Sequence, residues 1–231
     1  MCGRFTLRTP TEKLVKQFMV EAEPEQQQLP LRFNVAPTQE VAVVKQIAGH
    51  PRQLTEMRWG LVPFWADDLK IGAKMINARS ESVAEKPAFS RAFQKRRCLI
   101  LSDGYYEWKK EGSKKQPYYI RMADGRPFAF AGLWEKWRAK DQQDGPAVQS
   151  CTIITTESNE LTEWLHERMP VILGPNDYDP WLDNHNSKRE QLDHLLQPYP
   201  SDEMIVERVS MKVNSVANDD AECISVQREL F

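Results

Sequence analysis

Apolar positions along the chain fall into two rhythms, one of helices and one of strands. In EKLVKQFMV, Leu14, Val15 and Phe18 recur at the spacing of a single helical face. TPTE at 9–12 places Thr9 as N-cap, Pro10 at the first helical position and Glu12 to complete a capping box, so a short amphipathic helix is expected over 10–20. EVAVVKQI (40–47) and RQLTEMRWG (52–60) read as strands, KPAFSRAFQK (86–95) as a helix and RRCLILS (96–102) as a buried strand. GYYEWKKEGSKKQPYYIRM (104–122) has aromatic-rich flanks around a charged Gly/Ser turn, the pattern of a hairpin, and ADGRP (123–127) is a further turn ahead of FAFAGLWEKW. SCTIITTES (150–158) reads as a strand, NELTEWLHER (159–168) as a short helix and PVILG (170–174) as a strand. SKREQLDHLL opens with a capping box at Ser187 and Glu190, and MIVERVS (204–210) is a late strand. Many antiparallel-looking strands with interspersed helices give an α+β fold. No repeat, long linker or low-complexity tract divides residues 1–231, which read as a single domain whose last residues are peripheral.

Composition narrows the class. A chain that is 41% hydrophobic and 28% charged is that of an ordinary soluble globular protein with enough apolar residues for a core. No apolar run approaches the ~18–20 residues of a membrane span, and the first residues lack the layout of a signal peptide, so a cytoplasmic protein without a membrane partner is expected. With 31 Lys and Arg against 33 Asp and Glu, the chain has no global attraction for nucleic acid, and any phosphate site must be a local patch. Arg91, Lys95, Arg96 and Arg97 form one candidate, and Lys109, Lys110, Lys114 and Lys115 another; taken alone each reads as a solvated helix end or hairpin turn. Cys2, Cys98, Cys151 and Cys223 lie far apart with no CxxC pair, so reduced thiols are expected and neither a metal nor another cofactor is indicated.

The chemistry starts with MCGRF. Removal of the initiator methionine would leave Cys2 with an α-amine and a thiol on adjacent carbons. Unperturbed, these titrate at ~7.7–8.0 and ~8.5, so both have a usable nucleophilic fraction near neutral pH. Such a residue can attack an acyl carbon through sulfur, or form a Schiff base with an aldehyde and close a thiazolidine. Three other stretches set polar groups among apolar or aromatic neighbours: Asn77 and Arg79 in KMINARSES, Glu107 between Tyr106 and Trp108 in SDGYYEWKK, and His166 and Arg168 in WLHERMP.

MCGRF, NVAP (34–37), RWGLVPFW (58–65), INARSES (76–82), DGYYEWKK (103–110), LHERMPVIL (165–173) and VNSVANDD (213–220) together resemble the ordered motif set of the SOS-response-associated peptidase (SRAP) family. The resemblance implies a compact α+β domain with a curved, barrel-like, mainly antiparallel sheet and flanking helices. It also implies covalent capture of abasic sites in single-stranded DNA, with an autoproteolytic event that exposes Cys2. On that basis Cys2 supplies amine and thiol, Glu107 moves protons, Asn77 holds the terminus or sugar, and His166 assists Schiff-base exchange. Arg4, Arg79 and Arg168 are the implied phosphate clamp, and Trp65 and Trp108 the flat surfaces for flanking bases. The expected partners are abasic single strands and single-strand/duplex junctions, bound by a monomer that associates with the nucleoid through DNA. Two rivals differ in chemistry. A class II glutamine amidotransferase also begins Met-Cys-Gly but needs an HRG or NG pair, which the sequence lacks. A plain single-strand-binding module would stack bases without forming a covalent bond.

Overall fold

The strand patterns fold into two sheets in a computed structural model that describes residues 2–21, 28–141, 145–186 and 188–227. In chain order the strands are β1 (Phe5–Leu7), β2 (Arg32–Val35), β3 (Glu40–Lys45), β4 (Gln53–Trp59), β5 (Asn77–Arg79), β6 (Arg97–Ser102) and β7 (Gly104–Glu111). Then come β8 (Lys114–Met122), β9 (Phe128–Trp137), β10 (Val148–Glu157), β11 (Arg168–Pro170), β12 (Ile172–Leu173) and β13 (Met204–Arg208). The helices are α1 (Thr11–Gln17), α2 (Ser90–Lys95), α3 (Tyr178–Leu182) and α4 (Arg189–Leu192).

One sheet has the order β13-β8-β7-β1-β2, antiparallel throughout. In the other, β10, β4, β3, β6 and β9 close on themselves, because β10 pairs with both β4 and β9. This barrel is antiparallel except where β10 meets β4, and β5 also runs parallel to β10. The expected α+β class with a curved, mainly antiparallel sheet is therefore observed.

Strand alternation separates two apolar layers. Ala42, Val44, Leu99, Leu101, Ala131 and Leu133 meet Leu14 and Phe18 at α1, Phe93 of α2 and Trp181 of α3. The opposite set, including Val43, Trp59, Ile100, Phe130 and Ile153, meets Phe5, Tyr105, Ile120 and Met204 of the five-stranded sheet, with Cys2 in the same seam. Full burial of each large apolar side chain contributes about 1.5–3 kcal/mol, so this seam fixes how the two sheets sit on each other. The far face of the five-stranded sheet, with Tyr106 and Tyr119, is covered by Val209, Val213 and Cys223. Val226 bridges to Val209 beside this face with its side chain exposed; the end of the expected peripheral tail, beyond 227, lies outside the described residues.

Three local expectations are corrected. Helix α1 begins at Thr11 with Pro10 as its N-cap and no side-chain cap. The Thr9 hydroxyl donates instead to Asp103 at 3.1 Å, and Glu12 accepts from the Gln28 amide at 2.8 Å, so the capping box does not form. Residues 160–165 make consecutive turns rather than a helix, and the chain enters β11 at Arg168; Asn159 stands before them as an N-cap does, its Oδ1 accepting from the Thr162 amide and hydroxyl at 3.1 and 2.9 Å, with its Nδ2 held by the Tyr199 carbonyl. At α4, Gln191 makes the reciprocal contact by accepting from the Lys188 amide at 3.2 Å; the Ser187 half of the expected box lies outside the described residues.

Candidate active site

Pairing of β1 with β7 carries the start of the chain into the seam. Phe5 lies opposite Tyr105, and the Tyr106 amide donates to the Arg4 carbonyl at 3.0 Å, so Cys2 runs on beside the same strand. Glycine at 104 is required here, since a Cβ would stand 2.1 Å from the Tyr119 hydroxyl packed across it. Cys2 is fully buried, and among the described residues its thiol contacts only the Arg4 carbonyl, at 3.9 Å. Burial, and next the negative charge of Glu107, push the thiol pKa up, so sulfur is protonated at neutral pH and needs a base to react.

Asn77 fixes the other side of this residue by donating from Nδ2 to the Cys2 carbonyl at 2.8 Å. It is delivered by β5, held parallel to β10 with Asn77 opposite Ile153. The chain reaches β5 through a loop that leaves β4 at Gly60, where φ is +128° and a Cβ would lie 2.6 Å from the Gly72 carbonyl oxygen. Asn77 Oδ1 is buried and has no hydrogen-bond partner among the described residues.

Alternation along β7 turns Tyr105 and Glu107 toward the seam and Tyr106 and Trp108 toward the other face. Glu107 is 5% exposed, and burial raises its pKa, which suits a carboxyl that must both take and give a proton. His166 follows the turns at 160–165 and is half-buried; its Nδ1 accepts from the Arg168 amide at 2.9 Å, which leaves the proton on Nε2. Burial lowers its pKa, so the ring is neutral at pH 7.

The expected phosphate ligands are placed in three different ways. Arg79 is exposed on β5. Arg4 donates to Asn34 Oδ1 at 2.8 Å and to the Val213 carbonyl at 2.9 Å while its guanidinium lies 5.8 Å from the Trp108 ring centre. Arg168 is buried and committed: it grips Glu81 through both carboxylate oxygens, at 2.5 and 3.0 Å, and the Thr155 carbonyl at 2.6 Å. Of the expected stacking residues, Trp65 is exposed on the loop after β4, next to a Phe64 ring covered by Arg91. Trp108 donates from Nε1 to Asn214 Oδ1 at 2.6 Å and borders a hollow of about 390 Å³ with Gly3, Arg4, Lys115 and Asn214.

Trp164 is an aromatic that the sequence reading passed over. It is 44% exposed, with Lys109 Nζ 4.5 Å from its ring centre and Tyr118 against it edge-on at 5.0 Å. Tyr118 pairs across the hairpin with Glu107, so this surface adjoins the carboxyl on the seam side of β7. Its position two residues ahead of His166 in WLHERMP was the available signal. Among the described residues no group of His, Cys, Asp and Glu could hold a metal ion, and no helix is long and apolar enough to cross a membrane.

The family model described as SOS response associated peptidase (SRAP) matches residues 1–216. The chain is 42% identical over 232 residues to the abasic site processing protein YoaM of Bacillus subtilis strain 168, covering all of both chains. It is 34% identical to the abasic site processing protein HMCES of Xenopus tropicalis over 75% of this chain and 57% of that one. A crystal structure of a protein from Bacteroides thetaiotaomicron superposes with a TM-score of 0.87 at 25% identity, covering 98% of this chain and all of the other. A family match over nearly the whole length, a full-length relative and a shared fold converge on the motif set read from the sequence, and the chain belongs to the SOS response associated peptidase family.

Proposed function

We propose that this protein processes abasic sites in single-stranded DNA by covalent capture through Cys2, after removal of residue 1. The observation that carries the reading is a buried Cys2 beside Glu107 with its carbonyl held by Asn77. An abasic sugar in its ring-opened form presents a C1′ aldehyde. The Cys2 amine adds to it, and the carbinolamine loses water to give a Schiff base. The thiol then adds to the imine carbon while its proton passes to nitrogen, closing a thiazolidine. Nothing is oxidised or reduced. Glu107 takes the proton from the amine and returns it to the departing hydroxyl, the task for which a raised carboxyl pKa is suited. His166, neutral with Nε2–H, donates to the sugar oxygen during ring opening. The same Cys2 thiol, adding to the carbonyl of residue 1, shifts that acyl group from the Cys2 nitrogen to sulfur, and water then hydrolyses the thioester, which releases residue 1 and leaves amine and thiol free.

Binding is noncovalent and local. Arg79, Lys109 and Lys115 meet phosphates, while Arg168 holds the His166 turn through its own amide and through Glu81. Trp108 and Trp164, on opposite faces of β7, stack unpaired bases on either side of the lesion, which favours single strands and junctions over continuous duplex. The test mixes the full chain with an abasic oligonucleotide and separates products by denaturing electrophoresis. A slow-migrating adduct is expected from the parent and none from Cys2→Ala, with noncovalent single-strand binding retained by the variant. Survival of the adduct in Cys2→Ala overturns the reading.

A further inference from the structure

Tyr105 has no role in the steps above, yet its side chain is the most unusual in the seam. It is fully buried, and its hydroxyl has no hydrogen-bond partner among the described residues. Buried phenols normally find one. Its neighbour Tyr106, on the opposite face, donates to the Phe33 carbonyl at 2.7 Å. The Tyr105 ring is fixed by an edge-on contact with Phe130 at 6.2 Å and by the pairing of its residue with Phe5. Alternation puts it on the same face as Glu107, in the apolar cluster that contains Cys2, and both Cys2 and Glu107 act electrostatically on its hydroxyl.

We infer that Tyr105 is a further catalytic residue, its hydroxyl donating a hydrogen bond to the Cys2 sulfur as negative charge develops on it during thiazolidine closure. The inference rests on the covalent-capture reading and adds a division of labour to it. In the closing step the C–S bond forms, the C=N π pair goes to nitrogen, and the thiol proton reaches nitrogen by way of Glu107. Tyr105 keeps its own proton throughout. Burial, with Cys2 and Glu107 adding to it, holds its pKa well above the ordinary phenol value, so it remains a donor near neutral pH. The titratable groups that act on the sulfur are Glu107 from β7 and, once residue 1 is gone, the Cys2 amine itself.

Tyr105→Phe removes one oxygen and keeps the ring packing. Tyr106→Phe, a hydroxyl lost from the same strand on the other face, is the control. Single-turnover reactions with an abasic oligonucleotide are split into borohydride-quenched samples, which count the Schiff base, and samples denatured without reductant, which count the thiazolidine. For Tyr105→Phe we expect Schiff-base formation at the parent rate, closure slowed by about tenfold as for loss of one charge-assisted hydrogen bond, and an unmoved pH–rate midpoint for closure, because Glu107 and not free thiolate sets it. Tyr106→Phe should match the parent in both steps. Closure at the parent rate overturns the inference, as does equal slowing of both steps, which would mark Tyr105 as a packing residue only. These outcomes stand apart from failure of the capture reading, which appears as an adduct persisting in Cys2→Ala.

Discussion

Asp103 and Glu107 flank one stretch of β7, and both are almost fully buried, at 3% and 5% exposure, but their surroundings differ in kind. Asp103 accepts from the Thr6 hydroxyl at 2.5 Å, the Arg8 amide at 2.5 Å and the Thr9 hydroxyl at 3.1 Å, and pairs with the Arg8 guanidinium at 3.2 Å. The Tyr119 hydroxyl closes this network through Thr6 and the Asp103 carbonyl. Around Glu107, among the described residues, Asn77 Oδ1 and the Tyr105 hydroxyl have no partner and the Cys2 thiol has only its long contact. Leaving buried polar groups unpaired costs about 1–3 kcal/mol each, so such a cluster persists where something else uses its hydrogen-bonding capacity. The first cluster ties β1 to β7; the second, on the opposite side of the same strands, is where the proposed function puts its reactant.

The sharpest way to separate the two is Glu107→Gln, which keeps shape and removes proton exchange. Adduct formation at saturating DNA should fall by ~10²–10⁴, with single-strand affinity unchanged, as read by single-turnover electrophoresis. An unaltered rate would remove the carboxyl from the reaction. Breaking the first cluster with Asp103→Ala should instead lower folding stability by about 2–4 kcal/mol in urea titrations, while the capture rate per folded molecule stays that of the parent. A selective loss of capture at unchanged stability would erase the distinction drawn between the two carboxylates.

The same pair differs in pH response. Burial raises the Glu107 pKa above its unfolded value, so the folded state is disfavoured once pH climbs through the folded value and relieved of that cost below the unfolded value near ~4.3. Glu107→Gln should therefore be more stable than the parent at pH 8, with the difference vanishing toward pH 4. Chemical denaturation at the two pH values measures it, and a constant difference would contradict the assigned cause. Smaller effects belong to the rim. Trp164→Ala should weaken single-strand binding by about 1–3 kcal/mol, the value of one stacked base, and leave the rate at saturation intact. Arg79→Gln should reduce the slope of log affinity against log salt by about 0.7, the contribution of one phosphate contact on a single strand.

Much of this was legible in the sequence where a local rhythm decides the structure. The hairpin at 104–122 and the buried strand at 97–102 follow directly from their aromatic and aliphatic runs. Short β1, β2 and β5 escaped, because strands of 3–4 residues give too little pattern and exist through long-range partners such as β7 and β10. The turns at 160–165 escaped for a different reason: NELTEWLHER has helical spacing behind an N-cap-like Asn159, but the chain is extended again at Arg168, where it pairs with β10. At the site, Cys2, Asn77 and Glu107 could be named from motifs, but that Arg168 is bound to Glu81 while Arg79 is open depends on which strand edge each occupies. Tyr105 stood within the quoted DGYYEWKK motif. Its meaning depends on alternation relative to Glu107 and on a missing hydrogen-bond partner, which only the folded chain reveals.

In the proposed product both nucleophiles of Cys2 end in one ring with the abasic carbon. Mass spectrometry of the amino-terminal peptide recovered from the adduct, after alkylation with iodoacetamide, decides whether they do. The expected peptide begins at Cys2, carries the sugar remnant with the loss of one water and takes up no alkyl group. A remnant on a lysine, or a Cys2 sulfur that is still alkylated, would contradict it.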